Sequence, residues 1–356
     1  MQQVDARRES ASDPLLGRIL EGRYLLTARI ARGGMAGVYE AHDRRLDRIV
    51  AVKVMHTGMG DDKAYAARFV REARAAARLD HPNVVQVFDQ GDDEGTLFLV
   101  MELVRGSTLR DRMVLGKPVP PGRAVAVMEP VLKALAAAHR AGLVHRDVKP
   151  ENVLITPETS SEPSRIKVAD FGLARAVTAE TQHTSTGVLI GTVSYIAPEI
   201  VTDGRADQRS DVYSAGVMLY ELLTGRKPHE GESPIQVAYK HVHSDVPRAS
   251  DSVVEGLPAY VDALVARATA RDPDLRPADA GVMLRQLQRV SQALAHGVRE
   301  DVDLTADLAL PARPLHEPTT SDDLTPPGAD PEATAVRRRT AEVRSSEVVG
   351  SCSGRA

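Results

Sequence analysis

The segment His145–Asn152 (HRDVKPEN) brings together three side chains that phosphoryl transfer requires. Asp147 can accept a proton from an attacking hydroxyl, Lys149 can neutralise a phosphoryl group, and Asn152 can hold a magnesium ion through its amide oxygen. Because phosphoryl transfer depends mainly on positioning and charge neutralisation, it also needs a loop over the phosphates, a cation on them and a second metal ligand. The segment predicts this chemistry if the rest of the chain supplies those parts.

A glycine-rich stretch, Ala31–Val38, is the candidate phosphate loop. Where a residue has no Cβ, backbone amides can approach phosphate oxygens closely, so we assign Gly33 and Gly34 to nucleotide binding, together with Ala31, whose side chain is small. Ala31 and Ala36 stand where the pattern G-x-G-x-x-G-x-V has its first and third glycines, which predicts a workable but less flexible loop. A plain hairpin turn remains the alternative for this stretch taken alone.

Lys53 and Asp170 are the candidates for the remaining parts. Lys53 lies among apolar strand residues (VAVKV), and a buried lysine needs a carboxylate partner to remain charged. Glu72, in the helix-like segment REARAAARL, is the partner that we predict, with Lys53 also gripping phosphate oxygens. Asp170, in Asp-Phe-Gly, would complete with Asn152 a Mg²⁺ site that bridges two phosphates.

These motifs and Ala197-Pro198-Glu199 follow one another in the order found in protein kinases. Over about residues 20–292 the chain resembles bacterial serine/threonine protein kinases of the eukaryotic (Hanks) type, and in detail the receptor-type kinases of actinobacteria. The resemblance implies an α+β, bilobal protein kinase fold with a small β-rich N-lobe that carries one helix and a larger, mostly helical C-lobe. It also implies ATP and Mg²⁺ as cofactors.

The resemblance further implies roles for single residues. The nucleotide base would lie among Val38, Ala51, Met101 and Leu154, with backbone hydrogen bonds from Glu102 and Val104. Thr192 would reach toward Asp147 from the substrate loop, and Asp211 would brace the catalytic loop. Glu199 and Arg276 would form a structural ion pair. These assignments are expectations carried over from the family motifs.

Lys149 and Thr192 are typical of serine/threonine kinases, so the predicted activity is transfer of the ATP γ-phosphate to serine and threonine hydroxyls of proteins. Two alternatives remain. A pseudokinase-type nucleotide-binding scaffold would lack the lysine, the base or a metal ligand, all of which are present here. A small-molecule kinase would share the base and metal motifs but lack the Ala-Pro-Glu stretch.

Arg146, directly before the candidate base, needs a counter-anion, and threonines in the loop after Asp170 could supply it once phosphorylated. We predict autophosphorylation at Thr184 and Thr186, with Thr181 as a third site. The resemblance also implies partners that bind phosphothreonine through forkhead-associated domains, and a back-to-back homodimer of the small lobes.

Composition and charge limit the expected partners and cellular location of the protein. The net charge of -4 gives no basic footprint, so no nucleic-acid partner is expected. The single cysteine, Cys352, excludes a disulfide framework and fits a reducing cytoplasm. No apolar run reaches the roughly eighteen residues that would span a bilayer. We expect a cytoplasmic location for the chain as given, and a membrane anchor if the protein continues past residue 356.

Residue patterns divide the chain into a disordered leader (1–17), the N-lobe (18–104), the C-lobe (105–296) and a disordered polar tail (297–356). Short β-branched runs predict the N-lobe strands, with one helix over 61–79. In the C-lobe, residues 211–224 predict a helix buried on every side that ends at Gly225, and further helices fit 258–270 and 278–294. Pro130 predicts that its own helix starts late or kinks.

Overall fold

The two halves of the chain differ in secondary structure as their residue patterns predict. The computed structural model describes residues 13–34, 36–56, 63–160, 163–171, 193–252 and 256–310. Strands dominate before residue 102 and helices dominate after it. The architecture is therefore the expected α+β, bilobal one, with a β-sheet N-lobe and a helical C-lobe.

A six-stranded antiparallel sheet in the order β1-β2-β3-β4-β6-β5 forms the N-lobe. Tyr24, Leu26 and Val52 are buried on its core face, where the rings of Tyr24 and Phe98 meet edge to face with centroids 5.9 Å apart. Long β-branched and aromatic runs of this kind favour strands because their side chains pack on the pleated surface. The strands are β1 Ile19–Leu20, β2 Tyr24–Arg32, β3 Ala36–Asp43, β4 Arg48–Met55, β5 Val87–Asp93 and β6 Thr96–Met101.

One helix, α1 (Lys63–Ala77), crosses the other face of this sheet. Phe69 and Ala73, four residues apart and so on one helical face, are buried against Leu97 and Leu99 of β6. The helix ends at Ala77, two residues before the predicted end at 79, and its packing sets the position of Glu72.

Helices make up most of the C-lobe. Its central helix, α5, is buried at every position from Ser210 to Thr224, as its apolar pattern predicted. Asp207 caps its N-terminus, and Gly225 ends it with φ 70°, a left-handed conformation that favours glycine. The helices are α2 Leu109–Arg112, α3 Pro121–Arg140, α4 Pro198–Asp203, α5 Gln208–Thr224, α6 Pro234–His243, α7 Ala259–Ala268, α8 Ala280–Ala295 and α9 Val302–Leu308.

Helix α3 passes through Pro130 and does not start after it. The late start that proline predicted as one alternative is therefore wrong. Met128 and Val131, on either side of the proline, are fully buried, and this packing outweighs the lost backbone hydrogen bond. No helix in the described ranges is both long and apolar enough to cross a membrane.

A small sheet of β7 (Ser107–Thr108), β8 (Val153–Ile155) and β9 (Ile166–Val168) lies beside the segment His145–Asn152, which is the candidate catalytic loop. β8 follows the 3-10 turn Pro150–Asn152, and β9 leads into Asp170. The two segments are joined where the Ala169 N–H donates to the Asn152 carbonyl at 2.9 Å. This pairing brings Asn152 and Asp170, which are far apart in the chain, to one place.

Residues 13–17 and 297–310 are ordered in the structure, although the sequence assigned them to the disordered leader and tail. The Asp13 carboxylate accepts hydrogen bonds from Arg29 and Tyr39, both at 3.0 Å. In α9, Leu304 and Leu308 lie four residues apart and are both buried in the C-lobe core. The predictions of disorder through residue 17 and from residue 297 are therefore wrong for 13–17 and 297–310, because a few well-spaced contacts anchor these polar stretches.

Candidate active site

The Asp147 carboxylate is the centre of the candidate site. Its Oδ2 lies 2.7 Å from Lys149 Nζ and accepts a 3.1 Å hydrogen bond from Asn152 Nδ2, which also donates to the Asp147 carbonyl at 2.8 Å. Both side chains of the Lys149–Asp147 pair remain 18% exposed. The structure therefore brings together the three residues predicted from HRDVKPEN, and the contacts converge on one oxygen of the carboxylate.

Asp211, at the start of α5, holds the backbone of the catalytic loop. Its buried carboxylate accepts the N–H of His145 at 2.7 Å and the N–H of Arg146 at 2.8 Å. These bonds hold Arg146 at φ 68°, a left-handed conformation that is uncommon outside glycine. The brace predicted for Asp211 is present in the structure.

Two histidines on either side of this brace link it to neighbouring segments. The Ala280 N–H donates to His139 Nδ1 at 3.2 Å, so the His139 proton lies on Nε2, which meets Asp211 at 2.9 Å. His145 accepts from the Asp147 N–H through Nδ1 at 3.2 Å and donates through Nε2 to the Ala169 carbonyl at 2.9 Å. His145 thus ties the catalytic loop to the segment that carries Asp170.

Lys53 reaches the site from strand β4, but its partner differs from the predicted one. Lys53 Nζ lies 2.9 Å from Asp170 Oδ1, and the predicted Lys53–Glu72 ion pair is not formed. Glu72 is 6% exposed on α1. The spacing of residues in the chain does not decide which carboxylate Lys53 meets.

Asp170 is held as a carboxylate. Burial alone would raise its pKa, but the charge and hydrogen bond of Lys53 outweigh burial and keep the pKa of Asp170 below its ordinary value. Its φ of 64° is another left-handed backbone conformation at a non-glycine residue. Such conformations persist only where the surroundings hold them, which here includes the contact of Phe171 with the His145 ring, 4.6 Å between centroids.

Asn152 and Asp170 fit a divalent cation. A carbonyl oxygen can only accept, so the bond to the Asp147 carbonyl identifies the Asn152 amide nitrogen and directs its Oδ1 elsewhere. Asp170 adds an ionised carboxylate. Hard oxygens of these two kinds are the protein ligands that Mg²⁺ uses together with phosphates and water.

A cluster of apolar side chains lies under the N-lobe sheet. Buried Ala51, Val85 and Met101 form its centre, and Val38, Val104 and Leu154 pack around them. The structure therefore brings together the residues expected around the nucleotide base, and adds Val85, which no motif identified. The Glu102 N–H donates to the Gln86 carbonyl at 2.8 Å, so the backbone of Glu102 can offer only its carbonyl to a ligand.

The glycine-rich stretch forms the turn between β2 and β3. The Gly33 N–H donates to the Ala36 carbonyl at 2.8 Å, and Ala31 stands opposite Val38 in the ladder. Ala36 is buried against Met55 and Phe69. The methyl group of Ala36, which stands at the third glycine position of the pattern, thus packs into the N-lobe. Ala31 and Ala36 both fit the hairpin. Gly34 is exposed at its tip.

Several predicted residues lie outside the described part of the chain. They are the threonines of the loop after Asp170 and of the substrate loop: Thr181, Thr184, Thr186 and Thr192.

The Glu199–Arg276 pair is described and is bidentate, with Nη–Oε distances of 2.8 and 2.9 Å. That prediction is confirmed.

Residue types and motifs did not identify one cluster beside the site. Arg110 contacts Glu151, Glu221 and Tyr195, which come from three different parts of the C-lobe. Glu151 lies within HRDVKPEN, but nothing in the sequence pattern points to Arg110 as its partner.

Comparisons with known proteins agree with this geometry. A family model described as the protein kinase domain matches residues 24–295. Serine/threonine-protein kinase PknL of Mycobacterium tuberculosis is 53% identical over 283 residues, covering 80% of this chain and 69% of PknL. PknB of Mycobacterium leprae is 43% identical, covering 76% and 43%, and PrkC of Bacillus subtilis is 40% identical, covering 73% and 39%. The crystal structure of the Mycobacterium tuberculosis PknI kinase domain superposes with a TM-score of 0.60 at 28% identity, covering 77% of this chain and 97% of that domain.

The chain belongs to the protein kinase domain family and is of the bacterial serine/threonine type. Its activity is that of a protein serine/threonine kinase, EC 2.7.11.1, with ATP and a divalent metal as the family's cofactors. No feature of the described residues favours the pseudokinase alternative. The chain spans less than half the length of PknB and PrkC.

Proposed function

We propose that Asp147 is the general base when this kinase transfers the γ-phosphate of ATP to serine and threonine hydroxyls of proteins. The contact that carries the proposal is the one between Asp147 Oδ2, Lys149 and Asn152, at 2.7 and 3.1 Å. With Oδ2 engaged in this way, Oδ1 is the oxygen that can accept the hydroxyl proton. Lys149, next to that carboxylate, is then placed to neutralise the transferring phosphoryl group.

The nucleotide would be held by groups from both lobes. The base would lie against the apolar cluster of Ala51, Met101 and Leu154, and Lys53 would move from Asp170 to phosphate oxygens. Asn152 Oδ1 and the Asp170 carboxylate would hold Mg²⁺, which supplies charge neutralisation on the phosphates when bound. Donor type supports this choice of metal, because both ligands present hard oxygens.

Regulation would act through the loop after Asp170. We infer that the kinase phosphorylates Thr184 and Thr186, with Thr181 as a third site, and that the added charge pairs with Arg146. The double variant Thr184→Ala/Thr186→Ala is expected to lose most transfer to an added protein while still binding nucleotide. Full activity of that variant, measured with radiolabelled ATP, would contradict this proposal.

The remaining family-based expectations concern the setting of the kinase. They are a cytoplasmic location, back-to-back pairing of N-lobes and recruitment of forkhead-associated proteins to phosphothreonine. Sedimentation at several concentrations tests the pairing, and binding of a forkhead-associated domain before and after phosphatase treatment tests the recruitment.

Substitution of the proposed base tests the central proposal. Asp147→Asn is expected to lower transfer of radiolabelled phosphate to a generic basic protein by about 10²–10⁴, because it removes the proton acceptor but keeps the shape of the side chain. Asp80→Asn, an exposed carboxylate on the N-lobe, is the matched control and should retain wild-type transfer.

Thermal unfolding of both variants separates a catalytic loss from a folding defect. Wild-type transfer by a folded Asp147→Asn variant would rule out the assignment of the base. Transfer to small molecules alone, with none to the basic protein, would favour a small-molecule kinase.

A further inference from the structure

The first described residues of the chain, 13–17, form a short strap across the N-lobe sheet. The Asp13 carboxylate accepts the N–H of Leu15 on Oδ1 at 3.0 Å. Its Oδ2 accepts hydrogen bonds from Arg29 Nη1 and from the Tyr39 hydroxyl, both at 3.0 Å. Because Arg29 belongs to β2 and Tyr39 to β3, one carboxylate joins the strap to both strands of a hairpin.

Burial and packing hold the strap in this position. The side chain of Asp13 is 4% exposed, and Leu15 and Leu16 pack against the apolar cluster on the core face of the sheet. At the other end of the strap, the Gly17 N–H donates to the Leu26 carbonyl at 2.9 Å, with a φ of 83° that favours glycine. The strap is therefore fixed to the sheet at both of its ends.

Asp13 is held as a carboxylate and Tyr39 as a neutral phenol. Burial alone would raise the pKa of Asp13, but the hydrogen bonds that it accepts outweigh burial and keep its pKa below the ordinary value. Burial, followed by the hydrogen bond to Asp13, raises the pKa of Tyr39 to about 12. At neutral pH the hydroxyl therefore donates to a charged acceptor, and such hydrogen bonds are stronger than those between neutral groups.

The strap contacts the β2–β3 hairpin where the pairing of its strands is interrupted. Arg29 and Tyr39 stand opposite each other, and the register shifts on both sides of Arg29 in β2. Such irregularities disrupt the ladder of hydrogen bonds and bend the strand. Because the glycine-rich stretch begins at Ala31, immediately after the second shift, the Asp13 bonds fix the pair of residues from which that stretch extends.

Tyr39 also contacts the glycine-rich stretch itself. A Cβ at Gly37 would lie 2.7 Å from a carbon of the Tyr39 ring, so the ring lies directly against the Gly37 backbone. Tyr39 follows Val38, which packs in the apolar cluster expected around the nucleotide base. Since successive strand residues point to opposite faces of a sheet, Asp13 and Tyr39 lie on the face away from the nucleotide.

We propose that Asp13 is a positioning residue for nucleotide binding, because through Arg29 and Tyr39 it fixes the glycine-rich stretch in the conformation that receives the phosphates. A loop that is already fixed in its bound conformation loses less conformational freedom on binding, so its affinity for a ligand with phosphates is higher. Asp13 acts through the hairpin and not by contact with the nucleotide. This inference rests on the proposed binding of ATP by this chain.

A strap that only anchors the leader makes a different prediction. Loss of such an anchor lowers stability and leaves nucleotide affinity unchanged, or weakens the binding of adenosine and of ATP equally by loosening the whole sheet. If Asp13 positions the glycine-rich stretch, its loss weakens the binding of ligands that carry phosphates and leaves adenosine unaffected. Comparison of the two ligands separates the two roles.

The test compares Asp13→Ala with the wild type. We expect the Kd of a non-hydrolysable ATP analogue, measured with Mg²⁺ by calorimetry, to rise about three- to tenfold, while the Kd of adenosine stays the same. In transfer to a generic basic protein, the KM for ATP should rise with kcat unchanged, because binding is lost and the chemical step is not. Tyr39→Phe removes one hydrogen bond to Asp13 and should give a smaller change in the same direction.

Asp93→Ala is the matched control, because Asp93 makes a similar ion pair with the residue directly after the strap. Its Oδ2 lies 2.6 Å from Arg18 Nη2, and Asp93 ends β5 and is not part of the β2–β3 hairpin. This variant should lose stability in urea unfolding as Asp13→Ala does, but it should keep the wild-type Kd for both ligands.

Hydrogen exchange reports on the glycine-rich stretch without any ligand. The Gly33 N–H donates to the Ala36 carbonyl at 2.8 Å and closes the turn. Its exchange should be faster in Asp13→Ala than in the wild type or in Asp93→Ala, because a turn that is held less firmly opens more often.

Two outcomes would overturn the proposal. One is a folded Asp13→Ala variant that binds the ATP analogue as tightly as the wild type. The other is an equal loss of affinity for adenosine, or the same loss of ATP-analogue affinity in Asp93→Ala. Failure of the wild type to bind the ATP analogue would contradict the proposed function instead, and the exchange of Gly33 would still decide whether Asp13 fixes the stretch.

Discussion

Single residues in this kinase acquire their roles from partners that lie far away in the chain. The motifs predicted Glu72 as the partner of Lys53, whereas in this structure Lys53 pairs with Asp170. His139 and His145 are held in place by hydrogen bonds from the backbone N–H groups of Ala280 and Asp147. Residue types predicted which groups take part, whereas the contacts decide which charge meets which.

A buried histidine pair makes stability depend on pH. His241 is fully buried, bonds to the Tyr213 hydroxyl at 2.8 Å and stacks edge to face on His229, 4.7 Å away. Burial, followed by the neighbouring His229, lowers the pKa of His241 to about 3. Burial, followed by the charge of Lys240, also lowers the pKa of His229, while Asp245 acts in the opposite direction.

The free energy of unfolding should therefore fall as the pH drops below about 6.5. In that range the unfolded chain binds a proton at His241 that the folded chain does not bind, which costs up to about 1.4 kcal/mol per pH unit. Above pH 6.5 neither state is protonated, and the effect vanishes. Measured by urea unfolding, the free energy of unfolding should decrease less between pH 7.5 and pH 5 for His241→Gln than for the wild type. Exposed His296→Gln should match the wild type, and equal losses in all three would contradict the prediction.

Secondary-structure elements were predictable where their pattern was long and one-sided. Helix α5 was expected because residues 211–224 are apolar nearly all round, and every residue of it from 210 is buried. Helix α9 was missed because it has seven residues and only two leucines in a polar stretch. Its packing against the C-lobe, and not its own propensity, makes it a helix.

Helix α9 should contribute measurably to the stability of the C-lobe. Leu304 is 5% exposed and Val302 on the same helix is 80% exposed. Leu304→Ala should lower the free energy of unfolding by about 2–5 kcal/mol because it leaves a cavity in the core. Val302→Ala is the matched control, with an expected change within about 0.5 kcal/mol. If urea unfolding showed similarly small effects of both substitutions, α9 would not contribute to the stability of the C-lobe.

At the scale of the whole molecule, the site exists only where the two lobes meet. Lys53 comes from strand β4 of the N-lobe, whereas Asp147 and Asn152 come from the catalytic loop of the C-lobe. Asp170, after β9, joins them through its ion pair with Lys53. A nucleotide that contacts all four residues would stabilise the folded protein as one unit.

Nucleotide binding should therefore raise the Tm in a manner that depends on Asp170. At a Mg²⁺–ADP concentration of 100 times Kd, the wild type should gain about 2.7 kcal/mol of stability by mass action. Asp170→Asn should lose most of this gain, because the carboxylate that would hold the metal is absent. Each variant is compared with and without nucleotide, with EDTA as the control for the metal. An unchanged shift in Asp170→Asn would contradict the proposed metal ligand.

The sequence by itself determined the reaction, the acceptor class and the order of the motifs, because these follow from residue types at short spacing. It also determined the central helix, since a helical period is a local property. Only the tertiary structure decided that Lys53 meets Asp170, that Ala36 packs into the N-lobe core, and that Arg110 pairs with Glu151 and Glu221. Each of these depends on the distance between residues remote in the chain, which packing sets and spacing along the chain does not.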